Sequence, residues 1–108
     1  MNILPAIQKS FKNDRVIYSS HARQEMLKEE FGRIYEEEVY ESAGRGKIIE
    51  SYPKDKPYPS YLVVGFTLHK RPLHSVIAYN KKDNISIVVT AYQPKPWLWS
   101  KDYERRKK

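Results

Sequence analysis

Three histidines, His21, His69 and His74, are the side chains here that give and take protons readily at neutral pH. The chain contains no cysteine, which removes thiolate nucleophiles, disulfides and cysteine-ligated zinc from consideration. His21 follows Ser19 and Ser20, either of which can cap a helix, so it stands in a first helical turn. The partial positive charge of a helix N-terminus disfavours imidazolium, and a neutral His21 can serve as a general base. The alternative is a hydrogen bond to backbone that fixes the helix entry. His74 lies inside an extended segment, Pro72-Leu73-His74-Ser75-Val76. A connection of three or five residues to the next strand puts His74 on one face with Thr90 and Tyr92. A four-residue connection puts it with Ala91 instead, because one residue of slip exchanges the faces. The odd count is the expectation, since Leu73, Ile77 and Tyr79 then join Ile85, Ile87 and Val89 in the core. His69, in the turn His69-Lys70-Arg71-Pro72, reads as exposed and structural. His69 and His74 have no convincing third ligand of the sort a catalytic zinc requires, so neither a metal nor another cofactor is expected.

Lysine and arginine outnumber aspartate and glutamate by 20 to 13, for a net charge of +7. So much positive charge on 108 residues raises the local concentration of polyanions, with RNA the natural partner and an acidic protein the alternative. Tyr52, Tyr58, Tyr61 and Tyr92 flank a loop and strand ends, where a ring either stacks on a base or ties its hydroxyl to backbone. Trp97 and Trp99 are expected to close one end of the core. The tail, Arg105 to Lys108, is expected to be solvated and frayed while still adding counterion-release affinity. The glutamates between Glu36 and Glu41 read as a wet helix face, or as a dock for a basic partner. The N-terminal residues lack the pattern of a secretory signal, and the apolar runs are too short to cross a bilayer. A cytoplasmic protein without membrane association is expected; oligomeric state is left open.

The elements that must position these side chains read as one α+β domain over residues 1–108, with helices first and strands after. Ile3, Leu4, Ile7 and Phe11 mark a helix within 1–14, with Pro5 allowed in its first turn. Residues 15–18 read as an extended link. Helices follow within 19–44, one with Ala22, Met26, Leu27 and Phe31 as its stripe, the next with Val39, Tyr40 and Ala43, and with Gly44 and Gly46 as left-handed caps. The period then changes to two, giving a four-stranded antiparallel sheet within 47–93, interrupted by the proline-rich loop at 53–59. The basic segment 97–108 is expected to include a short helix. Helices gathered at one end pack on one sheet face, leaving the other as an open platform.

Taken together, several segments resemble one family. These are Ser19-Ser20-His21-Ala22, the stretch from Gly46 through Glu50, Tyr52 and Pro53, the run from Asp55 through Pro57, Pro59 and Gly65, then Pro72-Leu73-His74, and Val89-Thr90-Ala91-Tyr92 with Pro94. The pattern is similar to the DUF4258 family of small prokaryotic domains over roughly 18–99. The resemblance implies a fold like the RelE-type and barnase–colicin-type ribonucleases, and a toxin-like, metal-independent endoribonuclease that works by general acid–base catalysis. It carries His21, His74, Thr90 and Tyr92 as catalytic candidates, while Glu50, Tyr52 and Gly65 look architectural. Where the family's helix carries arginines four and eight residues after the histidine, this chain has Glu25 and Glu29. Arg23 or Arg71 is therefore expected to steady the phosphate, with Tyr52 at the substrate. The alternative is a non-catalytic nucleic-acid-binding module, or an interaction module held by an antitoxin-like protein.

Overall fold

Pro5 sits in the first turn of helix α1 (Leu4–Lys12), where a missing N–H costs nothing because that group has no helical partner. Ile7 and Phe11 turn inward from it. The computed structural model describes residues 2–107; Met1 and Lys108, the last residue of the basic tail, lie outside them. Residues 16–18, expected as a link, form strand β1 (Val16–Tyr18). Ser19 caps helix α2 (Ser20–Leu27) by accepting from the Ala22 N–H at 3.0 Å. Helix α3 (Glu36–Gly44) starts on three glutamates, which its N-terminal partial charge favours. Four strands complete the order: β2 (Lys47–Tyr52), β3 (Ser60–Phe66), β4 (Pro72–Asn80) and β5 (Ile85–Tyr92).

The sheet has five strands rather than four, in the order β1-β5-β4-β3-β2. The fifth is β1, parallel to β5, with Ile17 opposite Ile87. Three residues are too few to show a period-two pattern, which is why β1 did not read as a strand. The remaining pairings are antiparallel.

Three helices cover one face. Ala22, Met26, Ile34, Val39 and Ala43 pack there with Ile7 and Phe11 against Val63, Leu73, Ile77, Tyr79, Val88 and Ala91. Leu27 and Phe31, expected in that stripe, are 57% and 38% exposed, because α2 ends at Leu27 and the chain turns away. Neither Gly44 nor Gly46 takes the left-handed conformation; Gly32 does, at φ +111°. Gly46 and Gly65 serve close approach instead: a Cβ on either would run into the Ser42 carbonyl at the end of α3.

The β4–β5 connection corrects the expected register. Asn80 pairs with Ile85, so the connection holds four residues, the even count. A β-bulge then intervenes: Ile77 faces Val88 while Val76 faces Thr90, so Val89 is the extra residue. The slip returns His74 to a position opposite Tyr92. Beyond the bulge the expected face is recovered; before it the face is exchanged. Ser86 and Val88 enter the core in place of Ile85, Ile87 and Val89.

The second sheet face is not open. Beyond β5 the segment from Trp97 to Lys107 folds over it without forming the expected helix. Trp99 bridges Arg106, and the Lys107 N–H donates to the Leu98 carbonyl at 2.9 Å. Tyr103 turns the segment at φ +64°. Trp99 is 4% exposed against the sheet, whereas Trp97 is 59% exposed and closes nothing.

A candidate active site under the C-terminal segment

His74 is the centre of the covered face. Its ring is fully buried, and the Trp99 ring meets it edge-on at a centroid distance of 4.3 Å. Nε2 lies 2.8 Å from the Tyr103 carbonyl oxygen and Nδ1 lies 3.0 Å from the Tyr92 hydroxyl. A carbonyl only accepts, so Nε2 carries the proton and donates to it. Nδ1 of the neutral ring then accepts from Tyr92. Burial lowers the His74 pKa below its usual 6.5, against the opposing pull of the Tyr103 carbonyl. Burial likewise raises the Tyr92 pKa, so its phenol keeps its proton.

Around this pair the register assembles further polar groups. Glu50 pairs across to Leu62, which pairs to Val76, which pairs to Thr90, so these four share one row of one face. Lys47, Val64, His74 and Tyr92 form the adjacent row. Tyr52 lies beyond Glu50 on the same strand and donates its hydroxyl to the Glu50 carboxylate. Burial, and then that hydrogen bond, push the Tyr52 pKa up to about 12. The C-terminal segment supplies a cation in addition to Lys47. Arg106 stacks over Trp99 at 4.7 Å and reaches Glu50 at 3.5 Å, while Glu104 pairs with Lys47 at 2.7 Å. In both ion pairs the basic side chain is largely exposed, so they hold the segment weakly, each contributing at most about 1 kcal/mol.

His74, Thr90, Tyr92 and Tyr52 therefore come together on this face. His21 does not join them. It is exposed on α2, whose buried residues Ala22 and Met26 belong to the opposite face, so the two histidines stand in different layers. Arg23 is in the helical layer too, paired with Glu36 at 2.8 Å and lying over the Tyr18 ring. Arg71 is committed internally: it donates to Gln93, to Glu38 and to the carbonyls of Gly32 and Arg33. That pairing also takes Glu38 out of the wet face expected for α3. His69 is exposed. Among the described residues no three histidine, aspartate or glutamate side chains gather as a metal site.

Sequence reasoning missed Glu50 and Arg106 as members of the site. Glu50 had a visible signal, two residues before Tyr52 and hence on the same strand face. Arg106 had none, because only the fold of an irregular segment brings it back over the sheet.

The arrangement defines an α+β protein with a helix-backed sheet and a cluster of proton donors, proton acceptors and cations on the other face. The chain belongs to the family described as "Domain of unknown function (DUF4258)", whose sequence model matches residues 18–93. No curated protein and no solved structure matches it. No helix among the described residues is long and apolar enough to cross a membrane.

Proposed function

We propose that this protein cleaves RNA by general acid–base catalysis at the face built on Glu50, Tyr52, His74, Tyr92 and Arg106. The observation that carries this reading is the gathering of a carboxylate, two protonated phenols and a guanidinium around one buried imidazole. Cleavage through the 2′-hydroxyl needs a base, an acid for the leaving oxygen and positive charge at the phosphorane. The Glu50 carboxylate takes the 2′-hydroxyl proton as that oxygen bonds to phosphorus. The bond to the 5′-oxygen breaks, and that oxygen takes the single hydroxyl proton of Tyr92, which swings from His74 Nδ1 onto the leaving oxygen. The proton balance closes through solvent, which removes one proton from Glu50 and returns one to Tyr92. The products are a 2′,3′-cyclic phosphate and a 5′-hydroxyl. Arg106 stands against the phosphorane charge, and His74 is a positioning residue that holds the Tyr92 hydroxyl. The helix-backed, mainly antiparallel sheet is compatible with a RelE-type ribonuclease, and the excess of positive charge suits both RNA and an acidic antitoxin-like partner.

Incubation of the pure protein with end-labelled RNA in EDTA tests this. Native protein should release cyclic-phosphate ends, and Glu50→Gln should slow the reaction by about 10²–10⁴-fold while remaining folded. Native protein that retains RNA but yields no product on prolonged incubation overturns cleavage. The second reading, a binding module without catalysis, then stands. One observation favours it: both His74 nitrogens are already satisfied within the protein.

A further inference from the structure

Phe31 and Trp97 make an aromatic pair outside the core. Their ring centroids are 6.2 Å apart at an interplanar angle of 59°, and the residues are 38% and 59% exposed. Single exposed aromatics are ordinary; two drawn together from distant segments and braced from behind are not. The Phe31 loop turns at Gly32, whose φ of +111° suits glycine alone. Arg71 then fixes it, donating to the Gly32 and Arg33 carbonyls from a position anchored by Glu38 and Gln93. Trp97 follows Pro94 and Pro96 and is held by a turn in which the Leu98 N–H donates to the Lys95 carbonyl at 3.0 Å. Lys95 lies 5.9 Å from the Trp97 ring centre while bonded to Glu30 at 3.2 Å, and Arg33, two residues after Phe31, lies over the Tyr35 ring at 4.8 Å.

The pair is joined to the candidate active site along the chain. Gln93, which anchors Arg71, directly follows Tyr92. Trp97 lies two residues before Trp99, the ring packed against His74. A braced pair of π-faces with Lys95 at the Trp97 ring, on a protein of net charge +7, fits a flat ring on an anionic backbone.

We propose that Phe31 and Trp97 form a stacking subsite for an unpaired nucleobase of single-stranded RNA. This rests on the RNA reading above. Every base offers a π-face, so the subsite should discriminate little among bases. Its residues sit outside the proton-transfer groups, so it governs binding and not the chemical step.

The test uses fluorescein-labelled 2′-O-methyl hexauridine, which lacks the attacking hydroxyl and stays intact, with anisotropy at low salt as the readout. Trp97→Ala should weaken binding by about 5–100-fold and Phe31→Ala by less. Trp97→Phe should stay close to native in affinity but lose the quenching of tryptophan emission that the probe causes in native protein, because the remaining Trp99 is buried. An abasic version of the probe should bind native protein and Trp97→Ala alike. Both substituted side chains are exposed, and circular dichroism confirms folding. If native protein binds and Trp97→Ala binds equally well, or if the abasic probe loses nothing against the normal one, the stacking subsite is overturned while the RNA reading stands. If native protein does not bind the probe, the RNA reading falls and the subsite falls with it.

Discussion

The same strands present two different faces. Toward the helices the sheet offers Val63, Leu73, Ile77, Val88 and Ala91, and its polar groups are small; Ser10 and Ser86 pair at 2.6 Å in the interior. Toward the C-terminal segment it offers Glu50, His74, Thr90 and Tyr92 among Leu62, Val64 and Val76. Helices satisfy their own backbone groups, so their cover is apolar and tight. The C-terminal segment does not, and it is pinned by titratable side chains, exposed ion pairs and one buried tryptophan. Concentrating apolar burial on one face leaves the other free to hold groups that a core would reject.

That contrast is open to attack by mutation. Ile77 is fully buried in the helical face, and Ile77→Ala should destabilise by about 2–5 kcal/mol in chemical denaturation. Tyr92→Phe on the other face should cost less, about 1–3 kcal/mol because the buried His74 Nδ1 loses its donor, while reducing RNA cleavage. Equal costs would erase the distinction. Next in size is Arg71, just before β4, which ties the α2–α3 loop and helix α3 to Gln93 just after β5, with a side chain 17% exposed. Arg71→Ala should cost about 2 kcal/mol through the charged hydrogen bonds it removes, and should also loosen the Phe31 loop, read as faster amide exchange at Gly32 and Arg33. Lysine in its place should recover little, since an ammonium cannot reproduce the guanidinium fork.

The buried imidazole predicts a smaller, pH-dependent term. His74 has a folded pKa below its unfolded 6.5, so the unfolded chain binds the proton first as pH falls. Its contribution is complete above about 6.5 and is lost as pH drops from there through the folded value. Melting measured at several pH values should show stability falling on the acid side of 6.5, with the slope reduced in His74→Gln. Trp99→Ala should let water in and bring the His74 titration, followed by NMR, back toward 6.5. A titration unmoved by that change would mean the segment does not exclude water from the ring.

The helical face was largely legible in the sequence, because period and the Ser19 cap are local signals, although the left-handed caps expected at Gly44 and Gly46 were not found. Ile7, Phe11, Ala22, Met26, Val39 and Ala43 are inside as their spacing requires. The other face was legible only in part. His74, Thr90 and Tyr92 share it, but through a bulge at Val89 that no period announces and that cancelled an error in the loop count. The cover over them was not legible, since Trp99, Tyr103 and Arg106 lie on a segment with neither helical nor strand periodicity. Its fold depends on a left-handed Tyr103 and on local bonds such as Ser100 to Asp102 at 2.6 Å.

Ser75 gives the smallest and sharpest check on the contrast. It is 1% exposed on the helical face, between Val63 and Ala91, and its hydroxyl has no hydrogen-bond partner among the described residues. A buried hydroxyl without a partner opposes folding by its desolvation, so Ser75→Ala should leave stability unchanged or raise it by up to about 1 kcal/mol. Urea midpoints at constant m-value read this directly. The same hydroxyl on the covered face would stand among Glu50, His74 and Tyr92 and find a partner, so its removal there would destabilise. A loss of more than about 1 kcal/mol in Ser75→Ala would therefore place a hidden polar partner in the helical layer. The division into one dry face and one chemical face would then fail.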